Sequence, residues 1–389
     1  MLNVFYWYGI IWTVVFVLYQ LGWSNYCTPL DGVTLSFFLV SIITSFVLGT
    51  VFRKSFEYVE LRYKYIDRRR TVTILIWIMA IADFVYSRDI PLFSILLGRT
   101  SYTDFAGLPI IHTLLENLII FYSAYLFYLF LESKDKKLLI ESLSITFILL
   151  LLFHKGALSF CIFSMLNLAA AKAKSVYGRL KIKTIIIIVI AVFALLYLNG
   201  GLTNVRSGAS WNNDIFPRAV GQINEKWPSW LPMQYSWAYT YIVTPLGNLN
   251  LNITKHIAWD SVPGLILSVF PDFLVKRLFP TYVVSTKDIL LNTPILNACS
   301  GFIESVMNYG AGGMWYYFIA IALIILFNIW KSSNDQYRSV YFSILSMMIA
   351  ILFFYNTFNT AATSFLPWFI LLMPYVKRLK FVYKGKVIL

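Results

Sequence analysis

Charge is scarce in this chain. Asp, Glu, Lys and Arg make up 13% of its 389 residues, against 59% that are hydrophobic. A water-soluble domain cannot keep that much apolar surface out of solvent, so a soluble fold is excluded and an integral membrane protein is expected. Cysteine is scarcer still. Cys27, Cys161 and Cys299 form no CxxC or Cys/His spacing, which excludes a disulfide framework and leaves no metal motif. Cys161 lies in an apolar run and reads as a small core residue. There is no Walker loop, no GxGxxG after a strand and no HExxH. Asp-x-Asp is also missing from the loops, so metal-independent chemistry without a cofactor is expected. No internal repeat or low-complexity linker divides the chain, and residues 1–389 read as a single membrane domain. The first apolar stretch has no basic segment before it and no small-x-small cleavage site, so it reads as an uncleaved span.

What is present is apolar and aromatic. Mean hydropathy is +0.70, and the chain holds 26 Tyr and 12 Trp, residues that favour the headgroup level. A spanning helix needs about 20 mostly apolar residues. Such runs occur near 3–21, 33–52, 71–87, 111–131, 138–153, 157–171, 184–199, 306–329, 339–358 and 364–376. The expected fold is therefore all-α and polytopic, with about ten transmembrane helices. The formal charge of +14 does not point to nucleic acid. Its Lys and Arg collect in alternate connections: FRKSFEYVELRYKYIDRRR, ESKDKK, KAKSVYGRLKIK and the terminal KRLKFVYKGK. The positive-inside rule makes these cytoplasmic, with both termini inside. The opposite face receives 87–110, the turn His154-Lys155-Gly156 and one long segment, 200–305. That segment is rich in Trp, Phe and Leu broken by Pro, and reads as interfacial or re-entrant helices.

Basic residues on that outer face are not required by topology. They include Arg99, Lys155, Arg206, Arg218 and Arg277. As a set they suit a phosphate ligand, because guanidinium grips phosphate oxygens in a bidentate fork. Individually each also fits snorkelling to lipid headgroups. Glu304 stands where the chain re-enters the membrane. A carboxylate at that depth is a functional candidate with a basic partner expected. His112 and Glu116 are spaced i, i+4 on one helix face. His112 is either a general base suited to neutral pH or a helix-terminal residue bonded to a carbonyl. His154 reads first as an interfacial polar residue. Trp211, Trp227, Trp230 and Trp237 either present their rings to a ligand or anchor the segment in lipid, with anchoring favoured.

The stretch SRDIPLFSILLGRTSYTDFAGLPIIHTL, with Pro91, Gly98, Tyr102, Gly107, Pro109 and His112, resembles the bacterial oligosaccharide repeat-unit polymerases, the O-antigen polymerase (Wzy-type) family. SGFIESVMNYGAGG is similar to that family's Glu-containing turn, here Glu304, Asn308, Gly310 and Gly313. Lys155 looks like its basic residue between two central spans. The likeness covers most of the chain by architecture and two or three short stretches by residues. One departure is that an Arg-x10-Gly spacing is missing (Arg88 and Gly98 are closer), so roles tied to that pattern are not transferred. The resemblance implies a glycosyltransferase C-type enzyme of the bacterial inner membrane with a periplasmic site. Its donor and acceptor would be oligosaccharide units on undecaprenyl diphosphate, and a chain-length regulator protein is a further expected partner. Diphosphate is a good leaving group, so the chemistry needs cations for the phosphates and a base for the acceptor hydroxyl. The candidates are Arg206, Lys155 and Arg277, with Arg218 and Arg99 in reserve, and Glu304 or His112 as base. The alternatives are an O-antigen ligase, a flippase or transporter of lipid-linked oligosaccharide, and a structural membrane subunit.

Overall fold

The computed structural model describes residues 1–61, 69–97, 105, 107–178, 182–255, 261–271, 275, 277–280, 289–371, 382–383 and 386–387. It is a helical bundle. The longer helices are α1 (Val4–Gln20), α2 (Gly32–Val51), α3 (Arg69–Ser87), α5 (Ile111–Ser133), α6 (Lys136–Leu151), α7 (Lys155–Tyr177), α8 (Ile182–Arg206), α10 (Tyr235–Lys255), α12 (Ile303–Lys331) and α13 (Arg338–Ile351). Three short ones, α4 (Pro91–Leu96), α9 (Ile215–Gly221) and α11 (Val262–Leu267), lie between them. Val382–Tyr383 and Lys386–Val387 pair as a minimal antiparallel ladder.

Among the described residues, five helices are long and apolar enough to cross a membrane: α2, α3, α5, α7 and α12. α1 and α13, and part of α8, are shorter apolar helices. The caps follow local chemistry: Asn3, Asp31 and Asp135 each accept a backbone N–H from the first turn of α1, α2 and α6, satisfying donors that a helix start leaves orphaned. The core is aromatic. Trp12 stacks against Phe38 and Phe302, and Phe302 meets Tyr317. Such tilted and edge-on pairs suit the ring quadrupole. α5 is the most enclosed of the five, packed by α3, α6, α7 and α13.

Two expectations are corrected. Residues 352–368 are not the continuation of one span and the beginning of another. α13 stops at Ile351 and gives way to a run of turns that ends in a 3-10 turn at Leu366–Trp368. Hydropathy cannot see this, because the stretch stays apolar while Asn356, Thr360 and Thr363 satisfy its backbone and Thr357 ties it to the carbonyl of Met348 in α13. Segment 200–305 is also more than interfacial pieces. It contains α10, 21 residues long, packed against α1, α8 and α12 with Asn248, Asn250 and Asn252 buried. These amides tie α10 to the flanking loops: Asn248 donates to the carbonyls of Leu296 and Ala298, and Asn252 to that of Leu290. An internal Pro and three Asn hid this helix from a hydropathy reading.

Candidate functional site

α3 ends, α5 begins and the α6–α7 turn falls at one end of the bundle, and there four ionisable side chains meet. Asp83, fully buried near the end of α3, accepts the backbone N–H of Leu108 at 2.5 Å. Its other oxygen lies 2.6 Å from Nδ1 of His112. Nε2 of His112 is 3.7 Å from Oε1 of Glu116, one turn further along α5. The same oxygen of Glu116, itself buried, hydrogen-bonds Nδ1 of His154. The order is carboxylate, imidazole, carboxylate, imidazole. The acids are buried, while the side chains of His112 and His154 remain 28% and 40% exposed. Two of the chain's three histidines are thus joined through one glutamate. An ionised Asp83 fixes Nδ1–H of His112 and leaves Nε2 able to take a proton, the logic of an oriented general base.

The local backbone is built for this. Gly107 lies against the His112 ring: a Cβ there would fall 2.6 Å from Cγ of the imidazole. Ile110 (φ 68°) directly precedes the first turn of α5, and Phe153 (φ 56°) directly precedes His154. A β-branched or bulky residue in the left-handed region is strained, and such strain gathers at functional sites when packing holds it. Arg88 (φ 52°) and Ser300 (φ 62°) also have positive φ, just past the end of α3 and shortly before Glu304. Four of the six non-glycine residues with positive φ among the described residues therefore flank candidate site residues.

Glu304 occupies the first turn of α12. Among the described residues its side-chain partner is the amide of Asn356, at 3.1 Å, not the cation expected from the sequence. Asn356 also accepts the Tyr317 hydroxyl at 2.6 Å. α12 breaks at Tyr309 and Gly310 (φ 57°), so Glu304 sits on a short segment set off from the membrane-length remainder. Gly313 backs onto the carbonyl of Ser305, and Gly264 onto the Asn308 side chain, with no room for a Cβ at either. The motif glycines of this region make the break. Cys299 precedes the turn, and burial, with the Glu304 charge second, pushes its thiol up to about 12.

The 352–368 turns connect both carboxylates. Tyr355 lies within electrostatic reach of Glu116, and its neighbour Asn356 holds Glu304. Asn117, next to Glu116, donates to the carbonyl of Ala361 and accepts from the Phe365 N–H. His112 and Glu304, the two candidate bases, are thus not bonded to each other but are braced by the same turns.

The cations are more dispersed. Lys155 begins α7 beside His154, exposed, with Nζ 4.7 Å from the centre of the Phe153 ring. Arg218 is exposed on α9 and lines a cleft of about 310 Å³ with Asp214, Asn212, Gln234, Tyr197 and Trp227. Arg277 is exposed. Arg99 and the side chain of Arg206 lie outside the described residues. Trp237 is buried, and Trp227 is buried except for the edge it gives the Arg218 cleft, so neither is an exposed lipid anchor as favoured from the sequence, whereas Trp230 is 79% exposed. Asp83 and His154 were the members of the array that sequence reasoning undervalued. The signal for Asp83 was a lone Asp within an apolar span. Among the described residues no three His, Cys, Asp or Glu side chains are placed to share a metal ion. Compared with known proteins, the chain matches no family model, no curated protein and no solved structure.

Proposed function

We propose that this chain is a membrane glycosyltransferase that polymerises undecaprenyl-diphosphate-linked oligosaccharide repeat units into a surface polysaccharide. In this reading about ten spans cross the inner membrane, both termini are cytoplasmic, and the His112 end of the bundle faces the periplasm. The observation that carries it is the Asp83–His112–Glu116–His154 array at the end of the bundle where Lys155 begins its helix. His112, oriented by Asp83, takes the proton of the acceptor hydroxyl as that oxygen attacks the anomeric carbon of the donor chain. The bond to the lipid diphosphate breaks, and its charge is met by Lys155 and by arginines of the 200–305 segment, Arg206 and Arg218 first. Glu116 stabilises the imidazolium and couples it to His154. Glu304 and Asn356 form the opposite wall. The residue pattern around Gly107–His112 and Glu304 supports polymerase over ligase. That the Asp83–His112–Glu116–His154 array lies at an end of the bundle, and not along the middle of several spans, supports an enzyme over a transporter.

The test is a gel of surface polysaccharide from deletion and complemented strains. Deletion should leave chains capped with a single repeat unit, and complementation should restore a ladder. Loss of all surface glycan on a competent core would overturn this reading in favour of ligase or flippase.

A further inference from the structure

The opposite end of the bundle carries a second feature that the proposed reaction does not use. α3 and α6 diverge there around a groove of about 360 Å³ lined by Arg70, Thr73, Ile74, Lys137, Ile140 and Glu141, with Ser144 deeper. Its floor is a pair of ties between the helices. The Thr73 hydroxyl donates to Glu141 at 2.6 Å, and the Trp77 indole N–H donates to Ser144 at 3.1 Å. Thr73 thereby holds Glu141 against the floor. Arg70 and Lys137, on the first turns of two different helices, are both exposed at the mouth. Below them Ile74 (52% exposed) and Ile140 (66% exposed) present a bare apolar wall.

Cations at the mouth and branched aliphatics beneath them match one amphiphile. We propose that this groove binds an anionic glycerophospholipid of the adjoining leaflet. Its phosphate would be held by the Arg70 guanidinium and the Lys137 ammonium, and an acyl chain would lie on Ile74 and Ile140. The charge complementarity selects the occupant. A zwitterionic lipid brings its own cation toward Arg70 and Lys137 and is disfavoured, while a soluble anion leaves the aliphatic wall wet. Basic pockets between spanning helices are the general form of such headgroup sites, and guanidinium with ammonium is a standard pairing for phosphate. Binding has a second consequence. A phosphate seated between Arg70 and Lys137 bridges α3 to α6 across the mouth, while Thr73 keeps the Glu141 carboxylate down on the floor, away from it. α3 carries Asp83 at its far end, and the bridge fixes that helix from below.

Lipid binding in this groove does not depend on the glycosyltransferase reading. Full-length protein in a neutral detergent is incubated with equal amounts of phosphatidylglycerol and phosphatidylcholine of identical acyl chains, then followed by native mass spectrometry. Retained phosphatidylglycerol should exceed phosphatidylcholine at least tenfold in the wild-type chain, and the preference should disappear in R70Q/K137Q while phosphatidylcholine retention is unchanged. Equal retention of the two lipids by the wild type overturns the proposal without any variant, so poor folding of the double substitution does not shelter it. Displacement of phosphatidylglycerol by millimolar inorganic phosphate would identify a free-anion site and overturn the lipid assignment. I74S/I140S should weaken retention while keeping the preference for the anionic lipid.

Discussion

Both ends of α5 hold a glutamate against a base, and the two pairings serve different ends. At Glu132 the base is a lysine. Lys172 lies 2.9 Å from Glu132 and 3.0 Å from Glu60, the Tyr58 hydroxyl donates to Glu132 at 2.7 Å, and the Leu61 N–H donates to it at 3.2 Å. Tyr128 completes the fastening by donating to the carbonyls of Val59 and Gln336. A lysine ammonium keeps its proton at neutral pH, so this cluster is a fixed clamp that seats the 53–61 connection on α5, α7 and the segment before α13. At Glu116, about 24 Å away along the helix, the bases are imidazoles, the side chain whose ordinary proton affinity lies nearest neutral pH. Positive φ is found at both ends, at Ile110 and Phe153 beside the imidazoles and at Lys134 two residues past Glu132. One end joins its glutamate to a lysine, and the other joins its glutamate to two imidazoles.

Substitution can break this contrast at several points. The largest effect is expected at His112→Ala and Glu116→Gln. Each should reduce polymer formation by about 10²-fold or more, read from the polysaccharide ladder at matched protein level in the membrane. Wild-type chain length in both would remove the array from the reaction. Glu304→Ala should act similarly, and Arg206→Ala should also abolish polymer if that arginine binds diphosphate. Next comes Gly107→Ala. Its methyl group must displace the His112 ring, so activity should fall sharply while stability drops by about 1–3 kcal/mol, measured as a lowered melting temperature in detergent. The clamp should behave in the opposite way. Lys172→Met leaves Glu132 without its cation, which lowers stability by about 1–3 kcal/mol with activity per folded molecule unchanged. A change in chain length from that substitution would dissolve the distinction between the two ends. The smallest effect concerns Cys299. With its thiol held near 12, the group is protonated at pH 8 and should react slowly with N-ethylmaleimide. Gly313→Ala, which forces the α12 break open against Ser305, should raise that labelling severalfold.

Much of the helical plan was readable from hydropathy because a bilayer allows few backbone solutions, and long apolar runs become helices. Nine of the ten expected spans overlap a helix. The one near 364–376 meets only a 3-10 turn and a short helical stub before the described residues end. α10 escaped notice for the converse reason: Asn248, Asn250, Asn252 and Pro245 lower its apparent apolarity, yet each amide is satisfied inside. His112 and Glu116 could be paired from spacing alone, since i and i+4 share a helix face. Asp83 and His154 could not, because they come from α3 and from the α6–α7 turn, and sequence distance says nothing of which helices adjoin.

By itself the sequence determined a helical membrane protein, the alternation of its basic connections, and the motif glycines that mark close approach. Tertiary structure decided which carboxylate meets which base. Glu304 is partnered by Asn356, and Glu116 is shared by two imidazoles. The reason is physical: burial of apolar surface fixes how many helices form and how long they are, but it has no direction. Pairing of buried polar groups is directional and short-ranged, so it is settled only when the packed helices bring their ends together.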